Sequence, residues 1–161
     1  MDIIHYPNPM LKSLSADVDP ATDASLPKLI ADMVETMRTE EGVGLAAIQV
    51  GVPKKVLVYD PSPNQDEAHA LINPIIVSHA TETEEGEEGC LSFPGIYFPV
   101  DRYTSVVVEA LAPNGEPVRI EADGWPAVIL QHEIDHLNGV VILDRATPEV
   151  RQRVMREFMG R

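Results

Sequence analysis

The run His132-Glu133-Ile134-Asp135-His136 is the segment whose residue types and spacing most directly suggest chemistry. Positions i and i+4 of a helix share a face, so the two imidazoles can be aimed at one metal ion. Glu133 then sits beside that ion, where a carboxylate can take a proton from water and hand it on. Two histidines do not complete such a site. A hydrolytic metal centre takes a third protein ligand and keeps a fourth position for water.

Three sources of a third ligand can be weighed. The metzincin pattern is followed through Gly139, but Ile142 stands where its third histidine belongs, which excludes it. A thermolysin-like arrangement takes a downstream glutamate, and the candidates are Glu149 and Glu157 in a basic C-terminal segment. Cys90, within Glu88-Gly89-Cys90-Leu91-Ser92, is the remaining candidate. A thiolate suits Zn²⁺ or Fe²⁺, and the adjacent glycine allows close backbone approach. As the sole cysteine it can equally be a small buried hydrophobe, and it forms no intrachain disulfide. The segment Gly42-Val43-Gly44-Leu45-Ala46-Ala47-Ile48-Gln49 superficially fits a dinucleotide fingerprint. That fingerprint needs a preceding strand, and a helical pattern precedes it here. Two readings stay open: a glycine-rich connection into a buried segment, or a backbone strip open to a ligand, with Gln49 as a donor.

The elements that must position these groups are short and separated by scattered prolines. Leu26, Leu29, Ile30, Met33, Val34 and Met37 recur at helical spacing, with Ser25 as cap and an end before Gly42. Strands are expected at Lys55–Tyr59, at Leu71–Val77 with a break at Asn73-Pro74, at Thr104–Ala110 and at Val118–Glu121. Pro113-Asn114-Gly115 marks a hairpin turn between the last two. The five glutamates between Thr81 and Glu88 read as a solvated loop. A second helix runs from about Trp125 to Asn138 and stops at Gly139. A last helix opens at Thr147-Pro148, with Val150, Val154 and Phe158 on one stripe. Strands grouped mid-chain between terminal helices indicate an α+β domain.

The chain of 161 residues is the size of one domain, without repeats or a long linker. A net charge of −14 argues against bulk binding of DNA, RNA or anionic lipid. The N-terminus lacks a signal peptide's basic and apolar regions, and no stretch approaches membrane-spanning length, so a cytoplasmic location is expected. From Arg145 onward the balance reverses, with five arginines against Glu149 and Glu157. This stretch is either an ordinary solvated face or a docking patch for an anionic partner.

Taken together, three segments resemble peptide deformylase. That family reads Gly-x-Gly-x-Ala-Ala-x-Gln, Glu-Gly-Cys-Leu-Ser and His-Glu-x-Asp-His, met in order at Gly42–Gln49, Glu88–Ser92 and His132–His136. The likeness spans nearly the whole chain, from His5-Tyr6-Pro7-Asn8-Pro9 to the last helix. It implies one catalytic domain over residues 1–161, with short antiparallel strands around a central metal-binding helix and helices at both ends. It also implies that Cys90, His132 and His136 hold one divalent metal, natively Fe²⁺, with Zn²⁺, Ni²⁺ or Co²⁺ able to replace it in preparations.

The implied reaction is removal of the N-formyl group from the initiator methionine of new proteins, with release of formate. Glu133 is the implied proton carrier, and the Gln49 amide and Leu91 N–H the donors to the oxyanion. The peptide is expected to add as a strand along Val43, Gly44 and Leu45, with the methionine side chain among Val43, Val128, Ile129 and His132. Trp125 is bulkier than the residue common at that place in the family, so it is expected to narrow or re-line the pocket mouth. Arg102 is expected to pair with Glu88 and brace the metal loop. The partners are N-formylmethionyl nascent peptides and, through Arg151, Arg153 and Arg156, the ribosome; DNA and membrane are not expected. The rival readings are a zinc endopeptidase and a non-catalytic binder of N-termini.

Overall fold

A helix-forming periodicity and a proline in the first turn start the first α-helix, α1, over Leu26–Thr39. Its apolar stripe, Leu26, Leu29, Met33 and Met37, packs on Leu45, Val56, Val58 and Ile72. Ser25 stands at the N-cap position, but its side chain does not cap the helix. The hydroxyl donates instead to Asp23, which also accepts from the Ser25 N–H and from Lys54 Nζ at 2.7 Å. The computed structural model describes residues 1–160.

Seven strands follow: β1 Gly44–Ala46, β2 Val56–Tyr59, β3 His69–His79, β4 Thr83–Cys90, β5 Phe93–Tyr103, β6 Ser105–Leu111 and β7 Pro117–Asp123. Five form an antiparallel sheet in the order β1-β2-β3-β6-β7, and β4 pairs with β5 in a separate hairpin. β3 runs through Asn73-Pro74 rather than breaking there. The irregularity is absorbed by a register shift between Ile72 and Ile75 and a left-handed Asn73 at φ 52°. The Asn73 amide bonds both the N–H and the carbonyl of Val18, which fixes that conformation. The expected turn at Pro113-Asn114-Gly115 joins β6 to β7, with Gly115 at φ 87°.

The glutamate-rich segment is not a loop. Glu84, Glu85, Glu87 and Glu88 belong to β4, and of these Glu88 alone is buried. Their side chains are solvated as expected, but their backbone pairs with β5. The inward residues of β5, including Phe98 and Val100, are buried and supply the packing that the glutamates lack.

The second helix, α2, spans Gly124–Leu137. Ala127, Leu130, Ile134 and Leu137 pack it on Leu57, Val106 and Val108 of the main sheet. Gln131 ties it to the hairpin, donating to the Tyr103 carbonyl and accepting from the Tyr103 N–H. Gly139 ends the helix at φ 74°, and a Cβ there would lie 2.6 Å from the Lys12 carbonyl oxygen. The last helix, α3, spans Pro148–Met159, with Thr147 accepting from Val150 N–H. Val154 packs with Phe93, Ile96 and Phe98, while Arg151 and Arg156 face solvent. Arg161 lies outside the described residues. Among those described, no helix is long and apolar enough to cross a membrane.

Candidate metal centre and active site

A helix that buries Gln131, His132, Glu133 and His136 needs a reason, because buried polar groups cost free energy unless partnered. The ligand atoms of Cys90, His132 and His136 lie within 4.8 Å of one another. Cys90 comes from the end of β4, and its Sγ is 3.3 Å from His136 Nε2. The two histidines come from α2, whose other face is held by the main sheet. Glu149 and Glu157, the other candidates for a third ligand, lie on α3 and are not in this group.

His132 is oriented by a neighbour, whereas His136 Nδ1 is buried without a hydrogen-bond partner among the described residues. His132 Nδ1 is 3.0 Å from Glu88 Oε1, leaving its Nε2 for the centre. Arg102 grips both Glu88 oxygens, at 2.8 and 2.9 Å, so the expected pair forms as a two-pronged bond. The remaining Arg102 nitrogen donates to Asp135 at 2.7 Å, and Asp135 accepts two more bonds from Arg145. The chain His132–Glu88–Arg102–Asp135–Arg145 thus runs from the centre to the surface. Asp135 stood inside the His132–His136 segment without a role assigned to it, and Arg145 had no signal in the sequence beyond charge, since residues 102, 135 and 145 meet through tertiary structure alone.

Burial pushes the Glu133 carboxyl up to about 7, with the nearby Glu88 charge adding to it. Its Oε1 is buried and has no hydrogen-bond partner among the described residues. Burial opposes charge on His132 as well, but Glu133, Cys90 and Glu88 outweigh it and raise its pKa well above the usual value. For His136, burial and the neighbouring His132 act together and favour the neutral ring. Burial also disfavours charge on Glu88, yet the bonds from Arg102 and His132 hold its pKa below the ordinary carboxylate value.

These groups sit in a cleft of ≈ 810 Å³. Val43, Gly44, Gln49, Cys90, Leu91, Trp125, Val128, Ile129, His132 and Glu133 all line it. His136 lies behind Cys90, and the Leu45 side chain is buried in the core beneath α1. Leu45 can therefore contribute only backbone to the cleft. A Cβ on Gly44 would come within 2.5 Å of Glu133 Oε2, so glycine is what lets β1 pass over the carboxylate. Gln49 Oε1 accepts from Ala46 N–H at 2.9 Å, and its Nε2 donates to Ser92 Oγ at 3.1 Å while lying 3.5 Å from Cys90 Sγ.

A sulfur and two imidazoles converging beside a buried carboxyl, at the floor of a cleft in an α+β fold, define a metal-dependent hydrolase. The family model for polypeptide deformylase matches residues 1–152. Peptide deformylase 2 of Vibrio vulnificus is 46% identical over 159 residues, covering 98% of this chain and 92% of that protein. The crystal structure of a peptide deformylase from Legionella pneumophila superposes with a TM-score of 0.91 at 40% identity, covering 99% of this chain and 93% of the other. That of Ehrlichia chaffeensis peptide deformylase in complex with actinonin gives 0.91 at 37% identity, covering 99% and 96%. The chain belongs to the polypeptide deformylase family, metal-dependent hydrolases that remove the N-formyl group from newly made peptides.

Proposed function

We propose that Cys90, His132 and His136 hold one divalent ion, Fe²⁺ in the cell and Zn²⁺, Ni²⁺ or Co²⁺ in some preparations. The observation that carries this is the convergence of the three ligand atoms beside the unpartnered Glu133 Oε1. One sulfur and two nitrogen donors fit a borderline-soft transition metal rather than Mg²⁺ or Ca²⁺. When bound, such an ion acidifies water and polarises a carbonyl. α2 is then the central metal-binding helix of one catalytic domain over residues 1–161.

Glu133 takes the proton from the attacking water and delivers it to the departing amine, leaving formate and a free N-terminus. The Gln49 amide, held by Ala46 and Ser92, and the Leu91 N–H in the β4–β5 turn donate to the developing oxyanion. One such donor is worth about 3 kcal/mol in other hydrolases. The peptide lies along the backbone of Val43, Gly44 and Leu45, which reads chain direction rather than sequence. Its methionine side chain enters among Val43, Val128 and Ile129, with Trp125 at the mouth. The substrates are N-formylmethionyl nascent peptides in the cytoplasm, and the arginine face of α3 is the point of contact with the ribosome.

Release of formate from formyl-Met-Ala-Ser tests the reading. The metal-loaded chain releases one formate per free methionyl terminus and leaves internal peptide bonds intact. Cleavage of internal bonds favours an endopeptidase, and binding without turnover favours a non-catalytic relative.

A further inference from the structure

The backbone strip proposed to carry the peptide begins at Val43, between the end of α1 and the start of β1. We propose that Asp60, braced by Arg38, is a positioning residue for this strip: it organises the turn after β2 so that its own N–H fixes Val43. The inference rests on the proposed placement of the peptide along Val43, Gly44 and Leu45. Asp60 neither lines the cleft nor belongs to the metal centre, so it acts on the substrate through Val43.

Three observations support the role. Asp60 directly follows β2, and its N–H donates to the Val43 carbonyl at 2.9 Å. That bond extends the β1–β2 register one position beyond the Gly44 and Tyr59 pair. Second, the Asp60 side chain is buried at 1% exposure, and both of its oxygens are engaged. Oδ1 accepts from the Ser62 N–H at 2.9 Å and from the Ser62 hydroxyl. Oδ2 accepts from the Glu67 N–H at 3.0 Å and lies 3.3 Å from Arg38 Nη2. The Ser62 bonds alone make an ordinary turn at the end of a strand. Those to Glu67 and Arg38 go further, closing the loop over residues 60–67 and tying it to α1. Third, Arg38 also holds the other side of Val43. Its carbonyl accepts from the Glu41 N–H at 3.1 Å, and the Met37 carbonyl accepts from the Gly42 N–H at 2.8 Å. The exits of α1 and β2 are thus joined through one guanidinium, and Val43 is held between them.

The test measures kcat and KM for formate release from formyl-Met-Ala-Ser, which runs along the strip, and from N-formylmethionine amide, which is too short to do so. The metal-loaded enzyme is compared with its Asp60→Ala, Asp60→Asn and Arg38→Met variants, and metal content is measured in each. The ratio of kcat/KM for the tripeptide to that for the amide, taken within each variant, cancels differences in folding and metal loading.

Asp60→Ala raises KM for the tripeptide about tenfold with kcat little changed, and lowers the ratio by a similar factor, because binding along the strip is what is lost. Asp60→Asn, whose amide oxygen still accepts from Ser62, loses less, and Arg38→Met, which leaves the turn bonds in place, loses least. If Asp60→Ala does not fold, the other two variants carry the same comparison. A ratio that the variants leave unchanged overturns the positioning role, as does a proportional loss of kcat and metal for both substrates, which makes Asp60 a stabilising residue only. A parent enzyme that handles both substrates alike does not use the strip, and this also overturns the inference. No formate from either substrate overturns the proposed function itself, which is a distinct result.

Discussion

At the scale of single residues, Arg102 is a buried charge that stands behind the candidate metal centre rather than on the wall of its cleft. It is 5% exposed, grips Glu88 with two nitrogens and reaches Asp135 with the third. Without it, Glu88 is left as a buried carboxylate without its guanidinium partner, and His132 loses a fixed orientation. Arg102→Ala is therefore expected to lower metal affinity by about 10- to 100-fold, measured by chelator competition on folded protein. Arg102→Lys recovers little, since an ammonium cannot bind both oxygens and Asp135 in the same fork. Unchanged metal retention in Arg102→Ala would show that the brace is not needed.

The elements carry their own tests. α1 begins not on a serine cap but on a cluster in which Asp23 accepts from Ser25 and Lys54. The Lys54 bond, followed by the Ser25 hydroxyl, lowers the Asp23 pKa from 3.8 to about 2, outweighing its modest desolvation. A depressed carboxylate stabilises the fold above its unfolded value, and that contribution is lost as pH falls through the folded value. Asp23→Asn should lower the urea midpoint at pH 5–7, with the difference from the parent shrinking between about pH 4 and pH 2. A difference that is constant with pH would mean the charge is not what matters. For α3, Val154 is buried, so deleting the helix would disturb the core. The cleaner test of ribosome contact is Arg151→Glu with Arg156→Glu, both exposed. Co-sedimentation with ribosomes should fall steeply at low salt and depend less on salt, because fewer phosphate contacts remain, while turnover of a free formyl peptide persists. Unaltered co-sedimentation removes α3 from that role.

Over the whole molecule, legibility followed the distance over which information had to travel. Leu26 to Met37 announced α1 because its packing face repeats within one element, and Gly139 announced the end of α2 through backbone geometry. The hairpin was obscured: Glu84 to Glu88 have poor strand propensity, and Pro94 and Pro99 argue against a strand although Ile96, Phe98, Val100 and Arg102 alternate inward. Proline is tolerated there because β5 is an edge strand, paired within its sheet with β4 alone. In the site, the two histidines were legible from spacing, and Cys90 became so only beside the other two family segments. The bonds of Asp135 to Arg102 and Arg145 were not, because the first forms only once the hairpin folds against α2 and the second only once the chain after α2 turns back on it. The arginines of α3 remain a local positive stretch on a chain whose net charge is −14.

The central claim is that Glu133 carries the proton in hydrolysis of a formyl group. It is tested most directly by formate release from formyl-Met-Ala-Ser, comparing the metal-loaded chain with its Glu133→Gln variant at equal metal content. The parent should release formate stoichiometrically with free methionyl peptide, and the variant should lose at least about 100-fold in kcat while still retaining metal. Equal rates in the two, or product formed by cutting an internal bond without formate, would contradict it.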